Sequence, residues 1–309
     1  MTFSELSNMS NLSRRVFIQA TAATAAIGSL TAMAQPAPAQ DTTAQDSPVQ
    51  DTPASNIYLS IKGGRIGGNK EEMVARLKEL KALGFDGVEG ASPGIPDTKA
   101  LREAMAETDF PVHGVVDMVH WKDRLSSPDQ AIRDKGRVAL EQAIRDTHAF
   151  GGSAVLLVPG RVSGPSETHD HVWERSINEI RKVLPLASRL GVFVLIENVW
   201  NGFCETPEQM RDYIDEINSP WVGAYFDIGN CRKFAPAEDW VRTLGRRIVK
   251  LDIKDWGQKN GFCRLGEGDV NWPEVKKALA EIGFSGWATR EGSDKSLADT
   301  VALCNELLR

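Results

Sequence analysis

The chain has 309 residues, 41% of them apolar and 25% charged, which is ample for a full globular core. Its 36 basic and 42 acidic side chains leave a formal net charge of -6, which argues against a duplex-binding surface, so no nucleic-acid partner is expected. Cys204, Cys231, Cys263 and Cys304 are far apart and form no C-x-x-C pair, so reduced thiols are expected and not a thiolate zinc site.

Ser13-Arg14-Arg15-Val16-Phe17 precedes an alanine-rich apolar run, with Ala32-Met33-Ala34 as a small-x-small cleavage site and Ala37-Pro38-Ala39 as a second. This pattern predicts a twin-arginine export signal over 1–34 and a flexible tether, rich in Pro, Gln, Asp and Thr, over 35–54. The apolar run is too short and too weakly hydrophobic for a membrane span, so no stable insertion of the mature chain is expected. The predicted destination is the periplasm or another exported compartment.

From residue 57 onward, short apolar runs alternate with amphipathic stretches. A strand at 57–61 and a helix at 71–83 come first, then a strand at 85–89 and a helix at 98–106. The pairs 111–116 and 129–150, 154–158 and 170–190, and 192–197 and 207–217 follow. Strands at 221–227, 247–252 and 286–291 alternate with helices at 235–244, 272–282 and 297–308. Near-continuous apolar strands imply a parallel sheet buried on both faces, and eight such units favour closure into a (β/α)8 TIM barrel, one domain over 55–309. Gly63, Gly64, Gly67 and Gly68 lack both phosphate-loop signatures and predict a mobile loop after the first strand.

Acidic residues fall at the ends of these strands, where a barrel opens its active-site mouth. Glu197, Asp227, Asp252 and Glu291 end the fifth to eighth predicted strands. Period-two alternation puts Phe193, Leu195 and Glu197 on one face, and likewise Trp287, Thr289 and Glu291. Each carboxylate alone could cap a helix or pair with an arginine. Four converging in one cavity repel one another unless they are protonated or bridged, and a divalent cation relieves that repulsion. All-oxygen ligation suits Mn²⁺ first, with Mg²⁺, Co²⁺ or Zn²⁺ as other candidates.

Ile196-Glu197-Asn198-Val199-Trp200-Asn201, Tyr225-Phe226-Asp227-Ile228-Gly229-Asn230, Lys250-Leu251-Asp252-Ile253-Lys254-Asp255 and Gly266-Glu267-Gly268-Asp269-Val270-Asn271-Trp272 resemble the sugar phosphate isomerase/epimerase family. The wider group is the xylose-isomerase-like barrels, which include ketose 3-epimerases, and the likeness spans roughly 57–308. The resemblance implies one divalent metal, a ketose or related sugar as substrate, and a homodimer or homotetramer. It makes Glu197, Asp227 and Glu291 metal ligands, with Glu197 and Glu291 also the acid/base pair. The family's fourth ligand is a histidine where this chain has Asp252, and no histidine occurs after His171. Asp252 keeps an oxygen donor but adds a negative charge, which Lys254 would partly offset.

The chemistry expected from this set is epimerisation at C3 of a 2-ketose, by proton transfer through an enediolate between Glu197 and Glu291. Alternatives are a 3-keto-glycoside lyase or hydrolase, and a non-catalytic sugar-binding protein. Further candidate substrate contacts are Glu89 at the end of the second strand, His113 in the third, His120 and Trp121 just beyond it, and Arg161. Trp200, Lys254 and Trp256 complete the set, and core or loop packing is the competing role for the histidines and tryptophans.

Overall fold

In the computed structural model, which describes residues 56–63 and 66–309, eight parallel strands close on themselves. In chain order the elements are β1 (Ile57–Lys62), α1 (Lys70–Leu83), β2 (Gly87–Ser92), α2 (Thr98–Thr108), β3 (Val112–Asp117) and α3 (Gln130–Phe150). Next come β4 (Ala154–Leu157), α4 (His169–Leu190), β5 (Phe193–Glu197), α5 (Pro207–Ile217), β6 (Val222–Asp227), α6 (Ile228–Cys231) and α7 (Ala237–Leu244). The chain ends with β7 (Ile248–Ile253), β8 (Asp255–Gly257), β9 (Gly261–Cys263), α8 (Trp272–Glu281), β10 (Gly286–Arg290) and α9 (Leu297–Leu308). The closed order is β1-β10-β7-β6-β5-β4-β3-β2, and β8 with β9 form a separate antiparallel ribbon. This is the expected (β/α)8 barrel. The predicted export signal and tether, and Gly64 of the glycine-rich loop, lie outside the described residues.

Local chemistry sets the boundaries. Asn69, Asp97, Asp129 and Thr206 cap the first turns of α1, α2, α3 and α5 with side-chain oxygens. Gly84 ends α1 at φ 98°, a left-handed conformation that favours glycine. That cap moves the start of the second strand: Phe85 N–H donates to Leu80 O, so β2 opens at Gly87 and runs on to Ser92. Glu89 therefore sits in mid-strand and not at the strand end that the sequence pattern suggests.

Two apolar layers separate the faces of each strand. Val194 and Ile196, Phe226, and Leu251 and Ile253 join the large core between barrel and helices, while Leu195 and Tyr225 pack inside with Ala154 and Leu156. The interior is only partly apolar. His113 accepts or donates across the barrel to Ser60 Oγ (2.7 Å) and meets Lys250 Nζ at its other nitrogen (2.7 Å), while Tyr225 OH lies 2.6 Å from Thr289 Oγ1. Burial pulls Lys250 down to about 8 and lowers His113 well below its usual range, with the Lys250 charge adding to the burial effect. This polar layer is the floor on which the site stands. The four cysteines are unpaired thiols, Cys263 half-buried and the others buried.

Glu167 fastens the connection between β4 and α4. Its carboxylate accepts from Arg124 (2.7 and 3.0 Å), Ser126 (2.5 Å) and Ser163 (2.6 Å). Burial alone would raise its pKa, but these donors outweigh burial and hold it at about 2. Because the folded value lies below the unfolded one, the stabilisation is complete above the unfolded pKa and fades as pH falls toward about 2. Thermal midpoints of Glu167→Gln and wild type should accordingly differ at neutral pH and converge on acidification, since the variant lacks that titration.

Candidate active site

The carboxylates that end the later strands meet at the C-terminal mouth of the barrel. Glu197 closes β5, Asp227 closes β6, Asp252 is the penultimate residue of β7, and Glu291 follows β10. Ladder register levels them: Asp227 pairs with Asp252, Asp252 with Thr289, and the Glu291 N–H donates to Ile253 O at 3.2 Å. One carboxylate oxygen from each of the four lies within 4.8 Å of the others.

Asparagines fix the backbone beneath them. Asn198 Oδ1 accepts from Asp227 N–H and its Nδ2 donates to Asp227 O, both at 2.8 Å. Asn230 Nδ2 donates to Asn198 O at 2.9 Å, which ties the ends of β5 and β6 into one unit. Asp227 Oδ1 caps the short α6 through Asn230 N–H (2.7 Å), so its other oxygen alone faces the cluster. The capping role and the site role coexist in one residue.

Two ammonium groups enter the cluster. Lys62, the last residue of β1, places Nζ 2.8 Å from Asp252 Oδ2, 2.9 Å from Glu291 Oε2 and 3.7 Å from Glu89 Oε2. Lys254 Nζ lies 2.9 Å from Asp227 Oδ2 and 3.2 Å from Glu291 Oε1. The effects on the carboxyls diverge. Burial, with Asp227 and Glu291 nearby, pushes Glu197 up to about 8, and burial also raises Asp227 and Asp252. Burial would raise Glu291 too, but the ammonium groups of Lys62 and Lys254 outweigh it and hold Glu291 at about 2.

The donor set fits a divalent cation. Both oxygens of Asp252 and Oδ2 of Asp227 are buried and accept no directed hydrogen bond, although an ammonium approaches each residue. Carboxylate oxygens that meet only an ammonium, or for Asp252 Oδ1 nothing, keep lone pairs for a hard divalent ion, and the donor set is all oxygen. The arrangement can therefore hold a cation, present two glutamates to one small molecule, and donate from two lysines.

A cavity of about 300 Å³ opens over the cluster, lined by Glu197, Glu291, Lys254, Asn230 and the faces of Trp121 and Trp200. Phe262 adds a further aromatic wall, its ring stacked on Trp200 at 4.7 Å. Trp256 packs edge-on against Trp200. Arg161 is exposed and lies outside the cavity lining. His113 is in the barrel floor with both ring nitrogens engaged, and His120 is buried, its Nδ1 accepting from Val158 N–H. Burial, then the Lys62 charge, lowers His120 to about 4. Glu89 is 1% exposed, and neither of its oxygens accepts a hydrogen bond.

The sequence reading missed Lys62, Phe262 and the asparagine clamp. Lys62 shares the inward face of Ser60 by period-two alternation, one residue past the predicted strand. The Asn260-Gly261 pair between Trp256 and Phe262 was a hairpin signal for β8 and β9.

Gly229 sets the position of Lys254. A Cβ there would lie 2.7 Å from Lys254 Cβ and backbone C, so Gly229→Ala must push α6 and the Lys254 segment apart. Overpacking of this kind costs about 1–3 kcal/mol. The expected result is a lower urea midpoint, together with a loss of ligand affinity larger than that of a surface alanine control.

A closed parallel barrel with a carboxylate cluster at its strand ends defines a catalytic TIM barrel. The model of the family described as xylose isomerase-like TIM barrel matches residues 77–306, and the chain belongs to that family. L-ribulose-5-phosphate 3-epimerase UlaE of Shigella flexneri is 25% identical over 254 residues, covering 74% of this chain and 87% of that protein. The uncharacterized protein MJ1311 of Methanocaldococcus jannaschii is 24% identical over 189 residues, which covers 57% of this chain and 62% of that protein, less than two thirds of its length. Among solved structures, D-allulose 3-epimerase from Methylomonas sp. in complex with D-allulose aligns with a TM-score of 0.64. It has 20% identity, with 81% of this chain and 88% of that one covered.

Proposed function

We propose that the protein is an isomerase/epimerase-type enzyme that inverts C3 of a 2-ketose by proton transfer between Glu197 and Glu291. The observation that carries this reading is the convergence of those two glutamates with Asp227 and Asp252 within 4.8 Å, under a cavity with aromatic walls. Inversion needs a group on each face of the reacting carbon, and these side chains arrive from the ends of β5 and β10, with β6 and β7 between them in the closed order. The names of two of the three similar proteins, both 3-epimerases, support the same assignment.

Glu197, Asp227, Asp252 and Glu291 would hold one divalent ion, Mn²⁺ first among the candidates, and when bound it supplies Lewis-acid polarisation of the ketone. Trp121, Trp200 and Phe262 take the sugar face, and Asn230 and Lys254 its hydroxyls. One glutamate takes the C3 proton as the electrons pass to the carbonyl oxygen, giving an enediolate. The other glutamate returns a proton to the opposite face, and the roles exchange in the reverse direction. Walls of indole and phenyl restrict water at the carbanion-like carbon. Incubation of the Mn²⁺-loaded protein in deuterated water with a panel of ketoses tests this: deuterium should enter at C3 together with the epimer. Absence of exchange across the panel would refute it.

A second cavity of about 580 Å³ shares Lys254, Phe262 and Glu291 with the first, which favours a 3-keto-glycoside lyase or hydrolase as the second reading. Release of the aglycone without C3 exchange on free ketoses would establish that alternative. We also propose export through the twin-arginine signal. Replacement of Arg14 and Arg15 by lysine should retain the protein in the cytoplasmic fraction.

A further inference from the structure

Four carboxylates from β5, β6, β7 and the residue after β10 meet at the mouth of the barrel, Glu197, Asp227, Asp252 and Glu291, and Glu89 of β2 lies deeper, 3.7 Å from Lys62 Nζ. Lys254 answers Asp227 and one oxygen of Glu291. Lys62 touches Asp252 and the other Glu291 oxygen, with Glu89 close by. Glu291 is thus clamped between two ammonium groups, one on each oxygen.

The Lys62–Asp252 contact is held by charge and not by a directed hydrogen bond, since the Asp252 oxygen that it approaches accepts none. An ammonium has three N–H donors and no acceptor, so Lys62 retains donor capacity for a ligand. Its side chain is 21% exposed, whereas Asp252 beside it is fully buried, so of the pair only the lysine keeps surface that a ligand can meet. Lys62 lies outside the cavity lining itself, but its Nζ is 2.9 Å from Glu291 Oε2, and Glu291 lines that cavity, so a ligand oxygen held beside Glu291 comes within reach of the ammonium.

We propose that Lys62 is a catalytic residue that donates to the carbonyl oxygen of the substrate as negative charge develops there. This inference rests on the isomerase/epimerase reading and adds a residue to it. In the step concerned, Glu197 or Glu291 takes the proton from the carbon next to the carbonyl. The C–H electron pair becomes the new C–C π bond, and the carbonyl π pair moves to oxygen, where the Lys62 ammonium stabilises it without losing its own proton. Asp252 and Glu89 keep Lys62 charged and oriented, so their negative charges serve the lysine as well as any metal.

The alternative role, a counter-ion that merely relieves carboxylate repulsion, makes an opposite forecast. Removing a positive charge beside a cation site tightens Mn²⁺ binding. A pure counter-ion would then leave turnover intact or improved.

The test uses the full chain loaded with saturating Mn²⁺ and a ketose that the wild type epimerises, with Lys62→Met and Lys62→Arg as variants. Calorimetric titration with Mn²⁺ in the absence of sugar should show equal or tighter metal binding by Lys62→Met. Its kcat for C3 exchange should fall about 100-fold, the scale of losing one charge-stabilising donor, and Lys62→Arg should restore part of it. Should Lys62→Met fail to fold because Glu89 is left uncompensated, the pair Lys62→Met/Glu89→Gln against Glu89→Gln alone gives the same comparison. Wild-type exchange with Lys62→Met within threefold of it overturns the role of Lys62 alone. No exchange by the wild type on any ketose overturns the epimerase reading, and this role with it.

Discussion

Glu291→Gln and Glu197→Gln should each yield a folded barrel that has lost exchange at C3 of a ketose by roughly 10²–10⁴-fold, the range for removal of a positioned acid or base. Glutamine keeps the shape of the side chain and a carbonyl oxygen, so the packing of β5 and β10 is untouched, but it can neither take nor return a proton. The double variant should be scarcely slower than either single one, because two residues that act as a unit do not lose activity additively. Deuterium incorporation followed by NMR provides the rate, and calorimetric Mn²⁺ titration provides the occupancy of the cluster. The pairing of the measurements matters, since Glu197 and Glu291 both belong to the four-carboxylate set. A variant that binds Mn²⁺ like the wild type yet exchanges at the wild-type rate would remove that glutamate from proton transfer.

The two variants should also differ. Glu291 is the shared partner of Lys62 and Lys254, so its neutralisation leaves Lys62 answered by Asp252 and Glu89 and Lys254 by Asp227 alone. Among the described residues Glu197 has no ion pair of its own, and Asp227 and Glu291 crowd it. Burial and its acidic neighbours already keep Glu197 largely protonated at neutral pH, so glutamine there removes little charge, while loss of charge at Glu291 unbalances the centre. Glu197→Gln is expected to melt at or above the wild-type temperature, and Glu291→Gln below it.

Much of this arrangement was legible before any coordinates. A parallel barrel buries its strands on both faces, so each strand reads as a nearly unbroken apolar run, and the carboxylates that interrupt those runs stand out at their ends. Glu197, Asp227, Asp252 and Glu291 were visible for that reason. Period two reveals which face a residue takes, but not its height along the barrel axis. Glu89 and His113 consequently lie deeper than strand-end positions, Glu89 because the α1 cap delays β2 and the β2–β3 pairing shifts register between Val88 and Glu89. Lys62 escaped because a charged residue just beyond an apolar run resembles an ordinary solvated strand terminus. Only the closure of β1 against β10 and β2 turns it inward among acids. The Asn198–Asn230 clamp involves residues that a one-dimensional pattern reads as loop polarity.

Arg290 is the remaining residue on which the position of Glu291 depends, and its loss should be among the most destabilising single changes in the chain. It is 1% exposed, on the face of β10 opposite to Thr289 and Glu291. Its guanidinium donates to both oxygens of Asp294 (2.9 and 3.1 Å), to Ile253 O (3.0 Å) and to Glu291 O. One side chain thus joins the end of β7, the residue after β10 and the loop before α9. Arg290→Met keeps most of the volume but strands the Asp294 carboxylate with only Thr300 and the Leu265 N–H as donors. Breaking one partner of a buried pair in this way costs about 3–5 kcal/mol, or on the order of 10 °C in a barrel of this size. Arg290→Lys should recover little, since an ammonium cannot bridge two carboxylate oxygens and a carbonyl in one plane. Arg290→Met/Asp294→Asn removes the stranded charge and should be more stable than Arg290→Met alone, a coupling that urea denaturation of the four-member cycle measures directly. The same cycle, read in kcat/KM, separates stability from positioning. If the pair holds Glu291 over the cavity, the double variant regains stability without regaining turnover. Equal recovery of both would place the whole effect in folding.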